Sequence, residues 1–384
     1  MGKFLEQEKD WIDSTWDKLN RKLLKTAVNC RDKIPYTSVN GKYDDKSETE
    51  ISCWTNGFWP GLMWLMYVDT KNEEYRKTAE RAEKLLDKAF KDYDLLHHDV
   101  GFMWLISSGV NYRLFKGEKS KLRTIYAANI LAGRYNIKGK YIRAWNDNEL
   151  TRLYNDGKGV VIIDCMMNIP LLYWASETYN DPRFKYIAMS HADTTMKNHI
   201  RPDGSSNHIL VYDHETGEVL HRLSGQGYDE NSAWSRGQGW AMYGFVLSYI
   251  HTGKQEYLDT AKRVADYFIQ HLTNDFVPRS DLNAPEKPVI YDTSAGGLAA
   301  CAMLEIAKYV NDEEKDKYEY TAINILKALE KNHIDWSDDD EAILKNGCVA
   351  YHKADAPLQE PLIYGDYYFA EALYKLRGND LLFW

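Results

Sequence analysis

The sequence predicts an all-α fold, an (α/α)6 barrel of about twelve helices with an inner ring of about six and an outer ring of about six, in a single domain over residues 1–384. Three observations predict it. Helical periodicity runs nearly the whole length, and apolar segments alternate with charged, amphipathic ones. Each apolar segment opens on a short motif of glycine, aromatic and polar or acidic residues. Connections leaving apolar helices are short, whereas those leading into them are long. An open solenoid also pairs helices, but it repeats at a fixed period with short loops, and here the motifs stand unevenly, about 45 to 73 residues apart.

The first segment, Phe4 to Cys30, carries Leu5, Trp11, Ile12, Trp16, Leu19, Leu23 and Val28 at helical spacing. A polar connection follows to Ser52. Trp54-Thr55-Asn56-Gly57-Phe58-Trp59 then opens an apolar helix that ends near Asp69, and Thr70-Lys71-Asn72 turns the chain into a charged helix over Glu73 to Phe90. Apolar helices are expected near 101–115, 165–178, 238–251, 295–309 and 366–377, with charged helices near 118–135, 182–199, 254–272 and 312–333. Pro170 lacks a backbone N–H and must kink its helix or shift its start. Asn207 to Asp213 is the best candidate for a short strand, closed by a turn at Glu215-Thr216-Gly217.

In an alternating up-down array, all long connections emerge on one face. That face gathers 31–56, 136–163, 200–236, 273–293 and 334–365 together with the repeated motifs, and loops on a rigid scaffold are where sites are built. Helix N-termini converging there favour an anion such as a carboxylate. The chain holds 12 Trp and 28 Tyr, many beside glycine and acids. Flat rings next to polar groups suit sugar rings, and large helical cores use aromatics too.

A net charge of −9 and the lack of a Lys/Arg run argue against nucleic acid as a partner. No stretch approaches the ~18 apolar residues of a membrane span, and the charged start lacks the apolar core of a signal peptide. Cys30, Cys53, Cys165, Cys301 and Cys348 are odd in number and scattered, which suits buried thiols in a reducing, cytoplasmic setting. No Gly-Lys-Ser phosphate loop, dinucleotide fingerprint or Gly-x-Ser-x-Gly elbow is present, and no cofactor is expected.

Two acids occupy matching places in successive units: Asp99 in His97-His98-Asp99-Val100-Gly101 and Asp164 in Val161-Ile162-Ile163-Asp164-Cys165. Each alone reads as a helix N-cap; as a pair on one face they read as catalytic carboxyls. A carboxyl set behind four apolar β-branched residues suits the holding and release of a proton near neutral pH. Arg236, between Trp234 and Trp240, could clamp a carboxylate with two hydrogen bonds or form an ordinary interior ion pair. His98, His208 and His352 fall in three loops on the same face. Their spacing matches no metal-ligand pattern, adjacent His97 and His98 are expected to point apart, and no metal is expected.

The runs His97-His98-Asp99-Val100-Gly101-Phe102, Ile162 to Ala175, Trp234-Ser235-Arg236-Gly237-Gln238-Gly239-Trp240 and Gly365 to Leu373 together resemble the unsaturated glucuronyl hydrolases, glycoside hydrolase family 88. The resemblance extends from Trp54 to Leu376 with matching order and spacing. It implies a catalytic (α/α)6 barrel that removes a 4,5-unsaturated glucuronic (uronic) acid from the non-reducing end of lyase-generated oligosaccharides, glycosaminoglycan-type disaccharides among them. It further implies Asp164 as general acid/base and Asp99 as the second essential carboxylate, with Trp54, His98, Trp145, His208, Gln226, Trp234, Arg236 and Trp240 lining the sugar pocket. His352 joins them as a further substrate-binding candidate.

Two departures from that family stand out. Gly225 occupies a place where some members carry histidine, and the stretch Lys353 to Glu360 lacks the serine found in members that prefer sulfated fragments. The implied chemistry is hydration: protonation at C4 of the vinyl ether gives a cation at C5, water adds there, and the resulting hemiketal opens to release the neighbouring sugar. The partner expected is the unsaturated oligosaccharide, with no nucleic acid or membrane, and the chain acting as a monomer or weak homodimer. An unsaturated rhamnogalacturonyl hydrolase, a conventional inverting glycosidase and a non-catalytic sugar-binding barrel are the rival readings.

Overall fold

The computed structural model describes residues 3–146, 157–352 and 359–384, so most of the serine-free stretch, residues 353–358, lies outside the described residues. The main helices are α1 (Lys9–Asn29), α2 (Phe58–Thr70), α3 (Glu73–Leu86), α4 (Val100–Trp104), α5 (Val110–Phe115), α6 (Glu118–Ala132), α7 (Pro170–Tyr179), α8 (Pro182–Asn198), α9 (Ser235–Thr252), α10 (Gln255–Gln270), α11 (Thr293–Ile306), α12 (Asp312–His333) and α13 (Ile363–Leu376). A π turn, Leu105–Gly109, joins α4 to α5. The apolar and charged segments separate by burial as their periodicity predicts. Every residue of α11 is buried, as is all of α9 from Ser235 to Ser248, whereas α3 buries only one stripe.

The short turns are built alike. Lys71, Lys116, Asn180 and Gly253 take left-handed backbone at the ends of α2, α5, α7 and α9, with φ of 58°, 56°, 52° and 71°. Side-chain caps then start two of the amphipathic helices, α3 and α8: Asn72 accepts from the N–H of Glu74 and Asp181 from that of Arg183, each at 3.0 Å.

The helices form two compact units. One comprises Met1–Lys88, Leu272–Ser280 and Pro285–Leu382. Within it α2 packs on α3, α11 on α12, and α13 on α1, so the first main helix of the chain partners the last. The other comprises Ala89–His271, Asp281–Ala284 and Phe383–Trp384. Within it α4 packs on α6, α7 on α8, and α9 on α10.

In the second unit the segment expected to be helical from about residue 165 starts later. Ile163–Met167 forms a 3-10 turn, and α7 begins at Pro170, the first-turn position where a missing N–H costs nothing. The apolar run before it is a strand, β1 (Val160–Ile162). It pairs antiparallel with β2 (Ile209–Tyr212), the strand expected from the sequence, which pairs in turn with β3 (Val219–Leu223). Val160, Ile162, Ile209 and Val211 pack on one face with Ala144 and Trp145, while Val161, Leu210 and Tyr212 pack on the other with Tyr141. Apolar residues on both faces explain why β1 reads as an unbroken run instead of an alternating one. Among the described residues no helix is long and apolar enough to cross a membrane.

Candidate active site

The second unit brings Asp164, Asp99, His98, His208, Gln226, Trp145, Trp234, Arg236 and Trp240 together. β1 delivers Asp164 onto the 3-10 turn, and the N–H of Ile163 still donates to the carbonyl of His208 at 3.0 Å, which sets the two side chains side by side. The Oδ2 of Asp164 lies 3.6 Å from His208 Nε2, is buried, and has no hydrogen-bond partner among the described residues. On the other edge of the imidazole, the N–H of Gln226 donates to Nδ1 at 3.0 Å. The Ser224 carbonyl, 3.1 Å from Nδ1, already accepts from the N–H of Gly227. A lone pair on Nδ1 suits these neighbours and assigns the proton to Nε2, aimed at Asp164.

Asp99 directly precedes α4, yet its side chain makes no capping bond; the residue before the turn that carries Asp164 is Ile162. Capping therefore accounts for neither acid. The Asp99 carboxyl is buried, with Oδ1 2.9 Å from the Nδ2 of Asn168 and 3.4 Å from the Nε2 of His98, and Oδ2 3.3 Å from the Nδ1 of His97. Burial, and then repulsion from Asp164, push this carboxyl well above the usual carboxylate range, while Asn168 and the Arg134 cation pull the other way. Burial also holds both neighbouring imidazoles neutral, His97 down to about 4 and His98 well below its ordinary value.

His97 and His98 do not point apart, contrary to expectation. Residues 98 and 99 form a turn, not an extended strand, so adjacent side chains no longer alternate. The ligand-type atoms of His97, His98 and Asp99 consequently lie within 4.8 Å of one another. The N–H of Asp99 donates to His97 Nδ1 at 3.5 Å, whereas both ring nitrogens of buried His98 have no hydrogen-bond partner among the described residues.

The Trp234 ring lies 4.2 Å from that of His208, tilted by 36°, and the Arg236 guanidinium lies 4.5 Å from the Trp234 centroid, so imidazole, indole and guanidinium form one contiguous group. Trp240 is fully buried, with its ring 5.1 Å from that of Phe102 on α4. Half-buried Trp145 packs on the sheet face next to β1 and β2. A cleft of about 680 Å³ opens beside His208, lined by Trp145, Arg222, Gln226 and Tyr228 among others. Gly225 is required at its rim: φ is +57°, and a Cβ would come within 2.3 Å of His208 Nδ1. A histidine at that position would displace His208, which explains the departure seen in the sequence.

Trp54 and His352 belong to the first unit. Trp54 sits on a 3-10 turn, Trp54–Gly57, with its ring 5.1 Å from Tyr364 and 5.8 Å from Phe58. His352 is exposed, with its ring 4.9 Å from that of Tyr351.

Two residues of the site escaped the sequence reading. Asn168 is fully buried four positions after Asp164; its Nδ2 reaches Asp99 and, at 3.3 Å, the carbonyl of Asp164, while its Oδ1 accepts from the N–H of Phe102 at 2.9 Å. A polar residue inside the apolar run Met166 to Trp174 was the available signal. Arg134 donates to the carbonyls of Arg143 and Ala144 and to Asn146 Oδ1, which secures the segment carrying Trp145. No local pattern marks it.

Residues 26–373 match the profile described as Glycosyl Hydrolase Family 88. A protein of Bacillus sp. strain GL1 named unsaturated glucuronyl hydrolase is 33% identical over 371 residues, covering 94% of this chain and 96% of its own. A Streptococcus pneumoniae protein named unsaturated chondroitin disaccharide hydrolase is 32% identical over 382 residues, covering 98% and 94%. The solved Bacillus structure matches with a TM-score of 0.87 at 30% identity over 96% of this chain and 97% of that one. A solved unsaturated glucuronyl hydrolase specific for heparin matches at 0.86 with 31% identity over 96% and 97%. These structures have the (α/α)6 barrel fold, and the chain shares it.

Proposed function

The chain belongs to glycosyl hydrolase family 88 and is a glycoside hydrolase, and from that premise we propose that it removes a 4,5-unsaturated uronic acid from glycosaminoglycan-type disaccharides by hydrating the C4=C5 double bond. The observation that carries the reading is the pair Asp99 and Asp164: two buried carboxyls at neighbouring helix starts, neither of them a cap, one with an oxygen left unpartnered beside a cleft histidine.

Asp164 Oδ2, which has no hydrogen-bond partner among the described residues, is the oxygen that gives a proton to C4 and then takes one from the water adding at C5. His208, with Nε2–H towards the same oxygen, orients that carboxyl. Asp99, the second carboxyl, holds the sugar or the water and stabilises the positive charge developing on the ring. The layered Trp234 and Arg236 offer an apolar face and a fixed cation to a planar unsaturated carboxylate. Gln226 and Trp145 line the cleft assigned to the leaving sugar.

A single catalytic domain is supported by one family match that runs across both units. A cytoplasmic, reducing location agrees with the five free cysteines, four of them buried. The enzyme acts as a monomer or weak homodimer. Turnover of an unsaturated chondroitin disaccharide in heavy-oxygen water tests the reaction type. Label on C5 of the released uronic acid, with loss of the conjugated chromophore, supports hydration. Label at C1 with the chromophore intact would mean direct glycosidic cleavage.

A further inference from the structure

A second cleft, of about 530 Å³, opens in the same unit and shares no lining residue with the one beside His208. Its lining comes from α8 and from two hairpin turns, one carrying Lys138 and Lys140, the other Thr216 and Gly217. The turns are fixed in place. Asn136 accepts from the N–H of Gly139 at 2.7 Å and donates to the carbonyl of His214 at 3.0 Å, so one side chain ties both together. A Cβ on Gly217 would come within 2.9 Å of the Gly139 Cα, so the turns meet backbone to backbone. Thr194 on α8 donates its hydroxyl to the carbonyl of Lys140 at 2.8 Å.

The charge here runs against that of the whole chain. Lys138, Lys140 and Lys197 line this cleft in a protein of net charge −9, and among the described residues no ion pair or hydrogen bond engages their ammonium groups. The one acid in the described lining, Asp193, is held by the Lys254 ammonium and, at 2.8 Å, by the Tyr257 hydroxyl. Tyr186 is 65% exposed and also lines a smaller cleft of about 380 Å³ together with Arg183. Arg183, Tyr186, Ser190, Asp193 and Lys197 recur at steps of three and four, one face of α8. From Arg183 to Lys197 that face runs about 21 Å.

We propose that this face is a second carbohydrate-binding site, which takes an anionic oligosaccharide longer than the disaccharide cleaved beside Asp164. Lysines with free ammonium groups suit the carboxylates or sulfates repeated along such a chain, and an exposed ring among them suits the apolar face of a sugar. The length of the face exceeds what one disaccharide needs. The proposal rests on the reading of the active site as one for glycosaminoglycan-type fragments. Lyases release those fragments from long polymers, so a site for the polymer keeps the enzyme where its substrate appears.

Long saturated oligosaccharides of chondroitin sulfate and of hyaluronan lack the double bond read by the active site, and calorimetric titration of each at low salt tests the second site. The two probes separate sulfate from carboxylate recognition. The combined variant Lys138→Gln, Lys140→Gln, Lys197→Gln is expected to weaken binding about tenfold or more and to flatten its dependence on salt. Tyr186→Ala should weaken it about threefold. Both variants should keep the wild-type Tm and the wild-type kcat/KM on the unsaturated disaccharide. Wild-type protein that binds neither probe, or binds a DNA duplex as tightly, would overturn the second site, as would unchanged affinity in both variants. Failure of wild type to turn over any unsaturated disaccharide, with probe binding intact, would instead remove the proposed reaction and leave this site standing.

Discussion

Asp366 and Asp164 stand at corresponding places in their helical units, each just inside the start of an apolar segment, yet their surroundings differ completely. In the first unit, Asp366 accepts from the hydroxyl of Tyr43, from the N–H of Ile343 at 3.0 Å and from that of Leu344 at 2.7 Å. Both of its oxygens are used, and two distant segments, at Tyr43 and at Ile343-Leu344, are tied to one carboxyl. Asp292, in the same unit, caps α11 in the ordinary way, accepting from the N–H and hydroxyl of Ser294. In the second unit, Asp164 keeps Oδ2 buried and, among the described residues, without a hydrogen-bond partner. A repeated motif therefore marks a position, and the local supply of donors decides whether the acid there holds structure or is left for chemistry.

The largest expected difference follows directly. Asp164→Asn should reduce turnover by about a thousandfold or more while leaving Tm unchanged, because the amide keeps the shape and removes the transferable proton. Activity assay and thermal melt together check it, and substantial turnover in the variant would end the comparison. Asp366→Asn should do the reverse. An amide nitrogen would face the N–H of Ile343, a loss of about 1–3 kcal/mol visible as a lower Tm, with kcat within about threefold for the folded protein.

A third outcome sharpens the contrast through pH. Burial raises Asp366 to about 6 despite its three donors. The folded chain thus binds this proton more tightly than the unfolded chain, whose carboxyl titrates near its ordinary value. Its contribution is complete below the ordinary value and is lost as pH rises through about 6, roughly 3 kcal/mol in all. Denaturant melts between pH 4 and 7, at about unit intervals, should show that loss in wild type and a flatter profile in Asp366→Asn. The smallest expected effect is none at all. Dialysis against a strong chelator should leave turnover unchanged, since the vinyl ether needs only a proton to react and no metal from the cluster of His97, His98 and Asp99. Loss of activity restored by one divalent ion would reassign that cluster.

The candidate site was legible where chemistry left a local trace. Asp164 follows an apolar run, Asp99 adjoins two histidines, and Arg236 lies between tryptophans, so each stood out by its immediate neighbours. Asn168 and Arg134 did not, because their meaning lies in partners distant along the chain. Asn168 meets Asp99 69 positions away, and the Arg134 guanidinium gains its importance only where loop and helix meet. The reversed expectation at His97 and His98 has the same origin: a turn in the backbone, not residue identity, sets where adjacent rings point.

By itself the sequence determined the alternation of buried and amphipathic helices, the short turns that end the apolar ones, and the β2 strand. All of these are consequences of side-chain periodicity and backbone preference within a few residues. Tertiary structure alone decided that α1 partners α13, that β1 is a strand buried on both faces, and that Gly225 must lack a side chain to admit His208. It also decided which aspartate received three donors and which kept an oxygen free. Apolar periodicity is repeated along the chain and so can be read locally. The pairing of one donor with one acceptor is settled only when distant segments compete for the same buried space.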